Sequence, residues 1–282
     1  MGAFYDEIPD SVVDWIREQR MFWVATAPLA GSGTVNVSPK GYDCFTVVSP
    51  TAVWYLDCSG SGNETISHLR EPGNGRLTIM FSAFQGPPRI LRLFGRGRVF
   101  ERDTLEFDKL LPPGDARRLP GARAIIWLDV DRVGTSCGFS VPFFHYDGER
   151  TRLMEFFEAK EAADRAYLYA HIAQTPSSAG STSPVCPTLA PASVRNGMRA
   201  YWKLKNAESV DGLPGLEAAG FPPEEGAIRK SRPAMQKAYS HNAGGAVHGV
   251  WARGAQRAAD WTAEVALLAG LLVGMWVGKE YL

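Results

Sequence analysis

The chain has 282 residues, 30 basic against 30 acidic side chains for a formal net charge of zero, and 45% hydrophobic content. That length supports one sizeable core with an appendage, and the balanced charge argues against a broad nucleic-acid surface, which needs a basic excess. The four cysteines, Cys44, Cys58, Cys137 and Cys186, form no CxxC pair and are too sparse for a disulfide framework, so neither a zinc site nor a stapled secreted fold is expected.

The opening stretch, MGAFYDEIPDSVVDW, is acidic and has no apolar core of a secretory signal. Asp6 breaks the myristoylation pattern that Gly2 would begin. A reduced, cytoplasmic setting is the expectation. Residues 9–20 predict a helix, with Asp10 as its cap and Val12, Val13 and Ile16 as an apolar stripe. Seven segments rich in β-branched and aromatic residues follow, at 21–27, 34–40, 44–48, 52–57, 76–84, 89–100 and 124–134. Turn-forming residues at 30–33 and 49–51 separate the early ones. Only two short helices interrupt them, near 63–70 and 104–111, so there is no βαβ alternation. The expected fold is mainly β with flanking helices, a closed or split barrel of antiparallel strands. A further helix is predicted over 152–170.

The stretch at 55–66, YLDCSGSGNETI, puts small residues between a strand and a helix. Ser61 with Glu64 fits a capping box, which would make this a glycine turn and a capped helix. The same turn also offers free N–H groups with Ser61, Asn63 and Thr65 beside them, as an anion cradle would. It is not a Walker loop, because no GK[ST] follows. Lys40, after Pro39 ends its strand, is a candidate cation or a solvated turn residue. Arg92 shares a strand face with Ile90 and Phe94, so it needs a ligand, an ion-pair partner or an exit to solvent. Cys137 has no histidine placed beside it by sequence, the five histidines show no metal spacing, and no GxSxG exists.

The motifs FWVATAP, NVSPKG, VWYLDCSGSGNETISHL, GRLTIMFSAFQGPPRILRLFGRG and TSCGFSVP, in this order, resemble the pyridoxamine 5′-phosphate oxidase-like family of flavin-binding split barrels. The likeness is closest to a subgroup carrying NVSPKG, SGSGNET and GPPRI, and it covers about residues 10–170. The resemblance implies a homodimer with flavin mononucleotide (FMN) at the subunit interface. It implies phosphate-side roles for Ser38, Lys40, Ser59, Ser61, Asn63 and Thr65, a cofactor-side role for Arg92, and closure over the flavin by Ser136, Cys137 and Gly138. The family's oxidase carries a lysine where Thr65 stands and an Arg-Leu-His-type signature near its end. This chain has neither, so pyridoxamine phosphate is not the implied substrate. Three readings follow: an FMN-dependent oxidoreductase acting on a small molecule, a non-catalytic binder of flavin, F420 or haem, or a scaffold that has lost its ligand. The sequence names no catalytic acid or base.

Beyond the barrel domain, taken as residues 1–173, residues 174–197 read as a flexible Ser/Thr/Pro-rich insertion. Residues 198–217 read as an ordered helical segment associated with the barrel, and 218–258 as a loose linker. Residues 259–279 are apolar, with Trp261 and Trp276 near the ends. About 18 residues at 1.5 Å rise would just span a thin bilayer. A membrane tail or an apolar helix packed on protein both suit this composition.

Overall fold

In the computed structural model, which describes residues 2–172 and 189–220, the β-rich segments pair into one antiparallel sheet. Its strands are β1 (Ala3–Tyr5), β2 (Phe22–Thr26), β3 (Asn36–Lys40), β4 (Phe45–Ser49), β5 (Ala52–Cys58), β6 (Arg76–Ser82), β7 (Ile90–Glu101) and β8 (Ala122–Ser136). The order is β3-β2-β6-β7-β8-β5-β4, with β1 added against β8. The seven expected strands are β2 to β8. Three-residue β1 escapes prediction because its pairing with Val133, Gly134 and Thr135 is wholly long-range.

The end strands β3 and β4 are joined by residues 41–44, yet no ladder pairs them among the described residues. The sheet still curls until its ends meet through side chains. Phe45 of β4 packs edge-on to Phe22 of β2 at 5.1 Å and to Phe81 of β6 at 5.0 Å. This is a mainly β fold with the incomplete closure of a split barrel.

Register separates the two faces. Lys40, Phe22, Phe81 and Leu91 lie opposite one another across β3, β2, β6 and β7, and the last three are buried in the barrel interior. One position along, Pro39, Trp23, Met80, Arg92, Gly134 and Phe4 form a row on the outer face. Pro39 is tolerated because β3 is an edge strand, where its missing N–H breaks no ladder.

Among the described residues five helices flank the sheet. Helix α1 (Asp10–Glu18) buries Val12 and Ile16, as its stripe predicts. Asp10 is its first residue rather than its cap. Pro9 holds the N-cap without a side-chain bond, so the Asp10 carboxylate can act only on the helix dipole. Helices α2 (Glu64–Arg70) and α3 (Leu105–Leu110) are short, and Thr104 Oγ1 caps α3 by accepting from Phe107 N at 3.3 Å. Helix α4 (Arg152–Ile172) is held by buried Phe157, and its buried Asp164 accepts from Met198 N at 3.0 Å. That contact caps α5 (Met198–Lys205), whose own N-cap is Gly197.

After α5 the chain runs back along the barrel to a 3₁₀ turn (Glu217–Ala219). Leu189, Met198, Trp202, Leu216 and Ala219 all enter the core, so the strap formed by residues 189–220 belongs to the barrel. Residues 173–188 and 221–282, which carry most of the Ser/Thr/Pro-rich stretch, the linker and the apolar tail, lie outside the described residues. Among the described residues no helix is long and apolar enough to cross a membrane.

Candidate functional site

The inner face of β3 alternates Asn36, Ser38 and Lys40, while Val35 and Val37 turn outward and stay exposed. Asn36 Nδ2 donates to Thr26 Oγ1 at 3.1 Å and to Thr65 Oγ1 at 3.0 Å, tying β3 to β2 and α2. Thr26 Oγ1 is also hydrogen-bonded to His68 Nδ1 at 2.9 Å. His68 is buried, and burial lowers its pKa. The Ser38 hydroxyl has no hydrogen-bond partner among the described residues.

At the end of the strand, Lys40 Nζ lies 2.9 Å from Asp57 Oδ1. Arg123 Nε lies 2.8 Å from Asp57 Oδ2, and Arg123 Nη1 donates to the Gly62 carbonyl at 2.8 Å. Burial pushes the Asp57 carboxyl up. The Arg123 charge, then the Lys40 charge and the hydrogen bonds from both, outweigh it and hold the group below its ordinary value. This triad has two cations for one carboxylate and so carries a surplus positive charge. Asp57 is fully enclosed, whereas the Lys40 side chain keeps 20% of its surface exposed. Sequence reasoning missed Asp57 and Arg123. The available signal was a charge at one end of each of two otherwise apolar runs, Asp57 after one and Arg123 before the other, since a buried charge requires a partner.

The turn at 59–65 does not form the expected capping box. Helix α2 starts at Glu64 with Asn63 as an N-cap that makes no side-chain cap bond, and Ser61 is exposed. The strap takes over instead. Trp202 Nε1 donates to Ser59 Oγ at 2.7 Å, and Asn206 Nδ2 donates to the Gly60 carbonyl at 2.9 Å. Asn63 Nδ2 donates to Ser67 Oγ at 2.9 Å, and Ser67 Oγ donates to the Leu213 carbonyl at 3.3 Å. Arg70 Nη1 donates to the Gly215 carbonyl at 2.8 Å. A Cβ at Gly215 would overlap the Asn63 amide, so only glycine lets the strap approach this closely. Ser59, Asn63 and Thr65 are therefore buried and engaged within the chain.

Arg92, Ser136, Cys137 and Gly138 form a separate group. Arg92 Nη1 donates to Ser136 Oγ at 3.2 Å on the outer face of β7 and β8. Cys137 is an exposed free thiol, and Gly138 packs on the backbone of Arg89. The sheet itself stands between this group and the Lys40 triad.

Lys40 borders an open cleft of about 630 Å³, within the usual range for small-molecule sites. Arg20, Met21, Tyr42, Phe144 and Tyr146 line it with Lys40. Arg20 lies 5.4 Å from the Tyr146 ring centroid, and Tyr42 Oη donates to the Arg150 carbonyl at 2.8 Å. Tyr42 has φ 64°, a left-handed conformation unusual for a bulky residue, and such strain costs roughly 1–3 kcal/mol. Of the residues the family resemblance singles out, Lys40 is the one on this cleft wall.

Residues 8–137 match the family profile described as pyridoxamine 5′-phosphate oxidase. The chain is 36% identical over 222 residues to the pyridoxamine 5′-phosphate oxidase family protein ustO of Aspergillus flavus, covering 78% of this chain and 80% of that protein. Among solved structures, HupZ of Group A Streptococcus overlaps 45% of this chain and 91% of its own at 19% identity and a TM-score of 0.36. General stress protein 26 of Bacillus anthracis overlaps 44% of this chain and 89% of its own at 13% identity and a TM-score of 0.30. The two structural overlaps are too slight to bear on what the chain does.

Proposed function

The chain belongs to the pyridoxamine 5′-phosphate oxidase family, and on that premise we propose that it is a flavoprotein that binds FMN beside Lys40 and acts as an oxidoreductase on a small molecule. The observation that carries this reading is the surplus charge of the Lys40–Asp57–Arg123 triad on a cleft of suitable size.

The fit to FMN can be judged from these residues. A phosphate needs a cation with unspent donors and access to the ligand. An ammonium has three N–H groups, and Lys40 turns one toward Asp57 while part of its surface remains open. Ser38, two residues earlier on the same face, offers a free hydroxyl. Ser59, Asn63 and Thr65 fit less well as direct contacts, because they are buried and already bonded to the strap, α2 or β3. The fit therefore rests on Ser38 and Lys40, with the turn acting as their support.

Bound FMN supplies the redox chemistry, with hydride passing to or from the isoalloxazine ring. The contribution of the chain is to hold the phosphate at Lys40, and to wall the cleft with Met21, Phe144 and Tyr146 against bulk water. Arg92 and Ser136 are not among the residues that line that cleft, and the family resemblance brings them to the cofactor from a second copy. Phe4 and Val37 on the outer face, and Val35, Phe139 and Phe143 outside the strands, are exposed apolar side chains that such a partner could cover. We therefore read the active form as a homodimer with cofactor sites between subunits.

A visible spectrum and fluorescence titration of the purified chain test this proposal. It predicts a flavin band, or quenching of added FMN, together with a dimer by sedimentation. A colourless chain that does not bind FMN would reject it.

A further inference from the structure

We infer that Arg123, itself buried, is the residue that turns Lys40 into an anion receptor, by occupying the second oxygen of Asp57 and so leaving Lys40 incompletely neutralised. This rests on the reading that Lys40 meets the FMN phosphate. A lysine and an aspartate alone would form a closed pair of zero net charge, and an incoming phosphate would compete with the carboxylate for the ammonium. With Arg123 on Oδ2, the carboxylate is shared between two cations.

The geometry assigns different tasks to the two cations. Arg123 is 4% exposed and fixed from two sides, by Asp57 through Nε and by the Gly62 carbonyl through Nη1. It is not among the residues that line the cleft, so it acts on an anion there without touching it. Lys40 makes one bond, to Asp57 Oδ1, and stands at the cleft wall. Glu18 and Glu149 line the cleft together with Arg20, Lys40 and Arg150, and the positive charge behind Lys40 adds to the surplus that the lining carries. The Gly62 carbonyl that holds Arg123 also accepts from Asn206 at 3.5 Å. The strap therefore supports the turn that supports Arg123. This makes Arg123 a positioning residue rather than a ligand contact, and it gives the 59–65 turn a role in anion binding that needs no direct donor from it.

The test measures affinities of the full chain for FMN and for riboflavin, which lacks the phosphate. Their ratio isolates the phosphate contribution. In Arg123→Gln the ratio is expected to fall about tenfold, as when a charge-assisted contact is lost, with riboflavin affinity retained. Arg123→Lys, which keeps the charge, is expected to restore most of the ratio. Asp57→Asn removes the competing carboxylate, so it should lower the melting temperature while holding or raising the ratio. A ratio that falls at one of two bonded residues and not at the other would not arise if the pair only shaped the pocket.

A fall of the ratio in Asp57→Asn equal to that in Arg123→Gln overturns the inference. So does a wild-type ratio in Arg123→Gln when Lys40→Ala abolishes the preference, and that result leaves the proposed function standing. No preference for FMN over riboflavin in the parent chain removes both. If Arg123→Gln does not fold, Arg123→Lys and Asp57→Asn decide by the same ratio.

Discussion

The turn at 59–65 and the end of β3 at Ser38 and Lys40 carry similar chemistry and have opposite fates. Both present hydroxyl, amide or ammonium donors next to the same edge of the barrel. In the turn the polar groups are bonded within the chain, with Ser59 accepting from Trp202, the Gly60 carbonyl accepting from Asn206 and Asn63 donating to Ser67. At the end of β3, Ser38 keeps a free hydroxyl and Lys40 keeps part of its surface. A set of donors makes a binding site only where the fold leaves those donors unspent, because buried polar groups are nearly always satisfied from within.

The largest expected effect comes from cutting the strap off the turn. Trp202 is 1% exposed, so Trp202→Ala should cost about 3–5 kcal/mol of stability, read from the urea midpoint. An unchanged midpoint would mean that the strap is not anchored at the turn.

Acid probes the other side of the comparison. The pKa of Asp57 is lowered in the folded chain from its ordinary 3.8, so its ion-pair stabilisation is complete above that value. It is lost as the pH falls below 3.8 and through the folded-state value. Urea midpoints of parent and Asp57→Asn, followed from neutral pH downward, should converge there. Curves that stay parallel would deny the linkage.

Lys40→Ala should weaken FMN by roughly 1.5–3 kcal/mol, about 10- to 150-fold, and leave riboflavin unaffected. Its Asp57 contact also raises the expected stability cost above that of a solvated lysine, to about 1–3 kcal/mol. Equal weakening of both flavins would place Lys40 away from the phosphate.

Ser59→Ala removes only the acceptor of the Trp202 indole, so about 0.5–1.5 kcal/mol of stability should go, with no change in the FMN-to-riboflavin ratio. A lost ratio would return the turn to direct phosphate contact. Smallest is Ser61→Ala, at an exposed position without a cap bond, expected within about 0.5 kcal/mol on both readouts.

The strands were legible because their signal is local. Apolar and β-branched runs bounded by turn residues need a sheet wherever they fall, and β2 to β8 follow them. The opposed faces of β7 were legible for the same reason, since alternation alone sets Arg92 apart from Leu91 and Leu93. Pro39 does not end β3, which runs on to Lys40 because an edge strand tolerates the missing N–H. The capping box was misread because Ser61 and Glu64 have the right spacing, while the choice of N-cap depends on how the chain enters α2.

Sequence thus determined the mainly β fold, the family and a lysine at a strand end. Tertiary structure alone decided which polar residues stay available. Residues more than a hundred positions away, Trp202 and Asn206, close the turn, and Arg123 joins Asp57 across 66 positions. Hydrogen bonds and charges are satisfied by whatever the folded chain brings within about 3 Å, and sequence spacing does not encode that distance.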